Sequence, residues 1–586
     1  MPATALPGRF AGMARSYKKS PETDFKDVAM LQSVSPKHDL PLKPESDKPQ
    51  EPRSGVLAPF SIGAFRIIWI CNLFANLGTW AQSVAAAWVV TEAHASPLMV
   101  AMIQVASALP LVLLSIVSGV LADNHDRRKI MLIGLTLELS GAALVTGLAF
   151  FGYLDPLMLI LSILWLSLGS SITIPAWQAA VNEQVPPRMV GDAVLLNSVN
   201  YNVARAAGPA IGGLLLSATG PAWVFLFNCL CYMALIWAIW NWRREIPKRT
   251  LPPEHILEGV VAALRFTQYS SVTRLVMLRS FLFGISASAV WALLPLLAHR
   301  NPDGNASVYG YMLGALGVGA ILGSTMVSKA RKWIGSSRLI SLAAAVLGLV
   351  MLTLGWVDAL WVLFPALVVG GSCWIAAVAT YNSAVQILVP DWVKARALAL
   401  YQTAIYGGLA LGSFLWGHFA GSIGVQGSLL AAGCTLLVTV ALLYNSRLPE
   451  LEPGGIARAP ASAPGAPSFA FNPERGAVLV SIEYRIPAER TRDFVRASRP
   501  LRRLRLRNGA ERWALYRDVS QPETWQELFL VDNWIQHLRM LDRLTLEDKT
   551  IIDTVNSMHA GDGPPLVRHG VSYESAGYEA PPESLG

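Results

Sequence analysis

Three ionisable side chains stand in stretches that an apolar solvent would surround. Glu138 lies in the middle of "LIGLTLELSGAALV", Arg205 one turn before "GPAIGG", and Arg279 in "LVMLRSFLFGIS". A charge at the centre of a membrane helix costs about 2.5–3.5 kcal/mol on insertion scales, so each is a candidate for function. A carboxyl in such a place can take up and release a proton. An arginine there either meets an anion or, as Arg279 has the position to do, snorkels to a headgroup. A different chemistry is written at 119–129, "GVLADNHDRRK", where Gly119 is followed by Asp123, Arg127 and Arg128 between two apolar runs. An acid at a helix end can sit against the positive end of a neighbouring helix. Arg127 and Arg128 can pair with that acid or with lipid headgroups. Such contacts hold one conformation and break in another, which is the chemistry of a gate.

The elements that carry these residues follow from composition. Of 586 residues, 53% are hydrophobic and only 15% charged, with a mean hydropathy of +0.42; soluble domains carry about 25% charged residues. From about position 62 to about 446, apolar stretches of ~20 residues follow one another, each long enough to cross a bilayer as a helix. About twelve are expected. The loops sort into two sets. "DNHDRRK", "NEQVPPRMVGD", "NWRREIPKRT", "SKARKWIGSSR" and "PDWVKAR" are all basic, whereas "TEAHASP", "FGYLD", "ATGPA", "HRNPDGNAS", "WVDA" and "GSIGVQGS" contain only Arg300. The positive-inside rule puts the first set, and with an even number of spans both termini, in the cytoplasm. All five cysteines fall inside the apolar runs without metal spacing. The net charge of +8 gathers in membrane-flanking loops and in the C-terminal segment, which argues against nucleic acid as a partner and for lipid.

The apolar region is duplicated. Gly119 and Gly323 stand 204 positions apart, and the same shift, without a gap, carries Arg127 onto Arg331 and Arg128 onto Lys332. It also carries Val185-Pro186 onto Val389-Pro390, Gly208 onto Gly412, Gly213 onto Gly417 and Gly220 onto Gly424. Two six-span halves related about an axis along the membrane normal suit a carrier that rocks around a midplane site. Asp123 maps onto Val327, so the acid of the turn stands in one half only.

The turn resembles the signature G-x-L-A-D-R-x-G-R-[RK] of the major facilitator superfamily: Gly119, Leu121, Ala122, Asp123, Arg127 and Arg128 match, while Asn124 and Asp126 depart from it. "ARAAGPAIGG" (204–213), with Arg205, Gly208, Pro209, Gly212 and Gly213, is similar to the Gly-Pro signature in the fifth helix of the antiporters of that superfamily. "NLGTWAQSVAAAWVV" together with the Asp-x-x-Asp-Arg-Arg turn resembles the secretion-effector branch, which includes enterobactin exporters and macrolide efflux pumps. The resemblance implies an all-α polytopic membrane protein with the major facilitator fold, and a cavity lined by the first, fourth, seventh and tenth spans. Asn72, Asn76, Thr79 and Gln82 would line it from the first span, Trp177 and Gln178 from the fourth, Arg279 from the seventh. The duplication adds Tyr381 and Asn382 from the tenth. The first span lacks the mid-membrane carboxylate that many drug–proton antiporters have, which leaves Glu138 as the candidate proton site.

The domain expectation is a disordered cytoplasmic tail (1–58), one transport half (59–242), a cytoplasmic hinge (243–272), a second half (273–446), a Pro/Ala/Gly linker (447–474), a soluble domain (475–575) and a flexible end (576–586). In the soluble part "AVLVSIEYRI", "ERWALYRDV" and "TWQELFLVD" read as strands. "AERTRDFVRASRPLRRLRL" and "NWIQHLRMLDRL" read as helices, giving a ferredoxin-like α+β unit similar to dimeric monooxygenase-like domains and carrying an expectation of dimerisation. Its arginines Arg496, Arg499, Arg502, Arg503, Arg505 and Arg507 are expected on a solvated helix face, with anionic lipid as the alternative. His537 and His569 come without a nucleophile, a base or a metal set, and no phosphate-binding loop occurs, so neither enzyme activity nor a cofactor is expected. The sequence therefore reads as an ion-gradient-driven exporter of amphipathic small molecules (a drug, siderophore or secondary metabolite) working by alternating access in a bacterial cytoplasmic membrane. An importer or sodium-coupled carrier is the alternative of the same class, and a membrane-tethered sensor or scaffold acting through the soluble domain is the alternative of another class.

Overall fold

The first transport half is six helices: α1 (Gly63–Glu92), α2 (Pro97–Asn124), α3 (Arg127–Phe150), α4 (Pro156–Gln184), α5 (Val190–Thr219) and α6 (Pro221–Asn241). These come from a computed structural model that describes residues 57–186, 189–242, 256–301, 304–446, 448, 459, 469 and 471–572. The tail expected at 1–58 and the end at 576–586 lie wholly or almost wholly outside the described residues. Local chemistry starts the helices where they start. Ser96, Asp126 and Asp155 each accept a backbone N–H in the first turn of α2, α3 and α4, and proline opens α2, α4 and α6.

A hinge helix, α7 (Ile256–Tyr269), precedes the second half. That half is α8 (Ser271–Arg300), α9 (Ala306–Ile334), α10 (Ser336–Trp356), α11 (Leu360–Leu388) and α12 (Asp391–Leu443). Gly424 has φ 76° and ψ 165° inside α12, so this helix is two spans joined at a kink. Gly220, its duplicate, has φ 83° and ψ 173° at the α5–α6 junction. The shift of 204 also carries Pro156–Gln184 onto Leu360–Leu388, end for end. Among the described residues nine helices are long and apolar enough to cross a membrane by length and composition alone. The polar first and fifth spans fall outside that count, and α12 supplies two spans, which restores the expected twelve.

The halves press together at the ends remote from the basic loops. Trp88 of α1 stacks with Tyr309 of α9 at 6.3 Å between ring centroids and meets His299 of α8 edge-on at 5.5 Å. Ser217 of α5 and Ser307 of α9 are 2.9 Å apart. A Cβ on Gly213 would lie 2.7 Å from the Ala306 carbonyl, and one on Gly417 would lie 2.4 Å from Ala101. Gly213 and Gly417 are duplicates, so the two halves use the same position to approach each other.

The soluble domain comprises β1 (Val478–Arg485), α13 (Thr491–Asn508), β2 (Arg512–Arg517), β3 (Thr524–Val531), α14 (Trp534–Asp542), α15 (Leu546–Asn556) and β4 (Leu566–Val571). Its antiparallel sheet has the order β2-β3-β1-β4, the arrangement of a ferredoxin-like unit. Val478, Val480, Ile482 and Tyr484 alternate onto the helix-covered face with Trp525, Phe529 and Val531. The helix α15 goes beyond the sequence expectation; β4 is the fourth strand that a ferredoxin-like unit requires, and its residues are mostly exposed, so no clean alternation marks its place in the sequence. The arginine run also needs correction. Arg505 is buried and pairs with the fully buried Glu527 at 3.0 Å, and Arg507 pairs with Asp548; only Arg496, Arg499, Arg502 and Arg503 are on the solvated face. The domain rests on the hinge. Arg265 meets Glu511 at 3.5 Å, the Arg507 guanidinium lies 5.7 Å from the Phe266 ring, and that of Arg543 lies 4.3 Å from the Trp392 ring. Phe266 and Trp392 themselves meet edge-on at 5.9 Å.

Candidate functional site

Glu138 is buried in the first half, where α3 and α4 run unusually close. A Cβ on Gly169 would lie 2.7 Å from Glu138 Cγ, so only glycine lets the acid pack there. The Thr173, Tyr232 and Ser170 hydroxyls are the polar groups nearest the carboxyl, those of Thr173 and Ser170 donating to the Gly169 and Leu166 carbonyls. Tyr232 Oη is 3.0 Å from Thr79 Oγ1, and one turn further along α6 Asn228 donates to Gln82 Oε1 at 2.6 Å. Four spans thus converge on one carboxyl: α3, α4, α6 and α1. Thr79 is the exposed end of this chain of hydroxyls. At 3.6 residues per turn, Thr79 and Ser83 lie on roughly the opposite face of α1 from the exposed apolar Ile67, Ile70 and Phe74. The polar face looks inward and the apolar face outward.

The expected cavity residues divide. Gln82 is buried against Asn228 and belongs to the packing of α1 on α6, not to an open cavity wall. Asn76 donates to Asn200 of α5 at 3.1 Å, and Asn72 is half-buried. Trp177 packs into the core of the first half while Gln178 is exposed. Tyr381 is 2% exposed inside the second half, while its neighbour Asn382 is partly open and accepts from Gln386. In both halves, then, the aromatic is a packing residue and the amide faces the open side. Arg279 is also corrected. It is 4% exposed, donates to the Leu443 carbonyl at the end of α12, and shares a chamber of about 20 Å³ with Phe283 and Tyr381. It ties the seventh span to the twelfth within its own half.

At the turn, Gly119 has open space around it, and Asp123 stands in the last turn of α2 with its side chain outside the described residues. The arginines do not wait for headgroups. Arg127 donates to the Ala179 carbonyl at 2.8 Å and to Glu183 at 2.9 Å; Arg128 donates to the carbonyls of Ile239 and Trp240. Both cations therefore sit on the negative C-terminal ends of α4 and α6. Glu183 was not among the sequence candidates. Its duplicate is Ile387, and Arg331 correspondingly has a buried Nη1 without a partner among the described residues. In the fifth-helix signature, Gly208 and Gly212 lie against Trp80 and Ala81 of α1, Gly213 faces α9, and the Pro209 carbonyl lies against Gly310.

Comparison with known proteins agrees with this architecture. Residues 54–577 match the family described as transmembrane secretion effector. The chain is 24% identical over 402 residues to the multidrug efflux pump Tap of Mycolicibacterium fortuitum, covering 67% of this chain and 97% of the pump. It is 21% identical over 384 residues to the staphyloferrin A transporter of Staphylococcus aureus (64% and 94%), and 27% identical over 347 residues to the enterobactin exporter EntS of Shigella flexneri (56% and 78%). Among solved structures, the nucleoside transporter NupG superposes with a TM-score of 0.53 at 12% identity over 65% of this chain and 98% of its own. A bacterial homologue of the iron transporter ferroportin gives 0.52 at 15% identity, over 65% and 99%. With twelve spans in two duplicated halves, the signature turn joined to α4 and α6, and a family match running through the soluble domain, the chain belongs to the transmembrane secretion effectors of the major facilitator transporters.

Proposed function

We propose that this protein exports amphipathic small molecules across a bacterial cytoplasmic membrane, with both termini in the cytoplasm, by alternating access driven by a proton gradient. The observation that carries the coupling is the path Thr79–Tyr232–Glu138. A proton arriving at the inward face of α1 meets Thr79, and the two hydroxyls pass it on by reversing their hydrogen bonds. Thr79 Oγ1 donates to the Ala75 carbonyl at 2.8 Å in the present arrangement, leaving Tyr232 to donate toward it. When the carboxyl is protonated it donates to Tyr232; when ionised it accepts from it. Because Glu138 sits where α1, α3, α4 and α6 meet, its charge acts on the packing of the half that must move. The seal between halves lies on the side away from the basic loops, so this arrangement corresponds to the cytoplasm-open member of the cycle.

The test uses the purified full-length protein in liposomes. Glu138→Gln should abolish transport driven by an imposed pH gradient while substrate exchange without net proton movement persists. Tyr232→Phe, which breaks the path but keeps the acid, should slow driven transport and leave its pH dependence in place. Wild-type pH dependence in Glu138→Gln would overturn the assignment of the proton site. Everted and right-side-out vesicles separate export from import.

A further inference from the structure

Arg127, Arg128 and Arg279 are each held by carbonyls or a carboxylate of their own half. Arg205 is not. Among the described residues it has no hydrogen-bond or ion-pair partner. It stands 15 residues from the start of α5 at Val190 and 12 from Ser217, which is about 22 Å and about 18 Å along the helix. Neither end is within the reach of one side chain, so snorkelling does not account for it.

Its surroundings are aromatic and come from both halves. Tyr201, one turn earlier on the same helix, meets Trp80 of α1 at 6.5 Å between centroids. Tyr406 of α12, in the opposite half, lies within electrostatic range of the Arg205 guanidinium. The backbone at Arg205 and Ala206 is packed against Gly317 of α9, so the residue lies at the seam between halves, well inside the Ser217–Ser307 seal. A guanidinium at this depth needs a counter-charge, and its planar fork fits a carboxylate in two parallel hydrogen bonds. The flanking rings offer faces to a flat apolar body.

We infer that Arg205 is the anion-binding group for the transported molecule, and that the substrate class is an aromatic or amphipathic acid whose acidic group pairs with Arg205 while its body lies against Trp80, Tyr201 and Tyr406. The inference rests on the transporter reading above and adds the charge of the cargo to it.

The experiment measures binding of three probes to the full-length protein in nanodiscs: carboxyfluorescein as the anion, Nile red as the neutral body and ethidium as the cation. The wild type should bind carboxyfluorescein more tightly than ethidium. Arg205→Gln should weaken carboxyfluorescein by tenfold or more and leave Nile red within about twofold, and Arg205→Lys should fall between. Unchanged carboxyfluorescein binding in Arg205→Gln, no carboxyfluorescein binding to the wild type, or a preference for ethidium would each overturn the inference. Nile red flux in liposomes distinguishes the two claims: flux without charge preference removes only the anion site, whereas absence of any driven flux removes the transporter reading beneath it.

Discussion

Glu183 shows what a single side chain contributes to the basic-loop end of the first half. With 10% of its side chain exposed, against 21% for Arg127, it completes a partly buried pair that also uses the Ala179 carbonyl. Glu183→Gln keeps the shape and removes the charge, so it should cost about 1–2 kcal/mol. In detergent this reads as a fall of roughly 2–4 °C in the melting temperature. The second half offers the reciprocal test. Ile387 occupies the duplicate position and Arg331 carries an unpartnered buried Nη1, so Ile387→Glu should raise the melting temperature. A fall on Ile387→Glu equal to that of Glu183→Gln would show that the pair is incidental to the fold of the turn. The arginines of the turn were legible in the sequence as candidates. Their partner was not, because Glu183 lies 56 residues away and nothing local marks an acid at the end of α4 as the mate of a basic turn.

At the scale of elements, the duplication was legible because it holds one register through common but well-spaced glycines and prolines, and Gly220 and Gly424 repay it with the same backbone angles. What stayed hidden was which side of each helix faces the interior. Trp177 and Tyr381 have the types expected of a cavity lining, yet each is turned into its own half and leaves the adjacent amide on the open side, a rotation that residue type does not encode. The soluble domain adds a prediction of its own. His537 is buried with both ring nitrogens unpartnered and stands 4.9 Å from the His569 ring. Burial, helped by His569 and Arg505, pushes it down to about 4. The unfolded chain binds this proton more readily than the folded one, so the stabilisation is complete above about pH 6.5 and is lost as pH falls toward 4. The loss should amount to on the order of 2–3 kcal/mol, read as faster hydrogen exchange in β1 and β3 of the intact protein. His537→Phe should flatten that pH dependence; an equally steep decline in the variant would place its origin elsewhere.

At the scale of the whole molecule, two halves close against each other on the side away from the basic loops, and the proposed cycle requires them to part there. Composition made the membrane location readable in advance, and the shift of 204 residues the two-fold plan. The conformational state was not readable, since the same glycines must serve the closed and the open seam. The soluble domain adds a contact between the hinge and the turn before the eleventh span, through Arg507 on Phe266 and Arg543 on Trp392, so the hinge is not a bare linker. The most direct test lies at the seam itself, where Ser217 and Ser307 stand 2.9 Å apart across the halves. With both changed to cysteine, oxidation should join them readily, stop transport, and release it on reduction. Adding a substrate and a proton gradient that drive cycling should lower the yield of the cross-link. Transport at the wild-type rate with the two cysteines fully joined would contradict the account, because the halves would then not need to separate on that side.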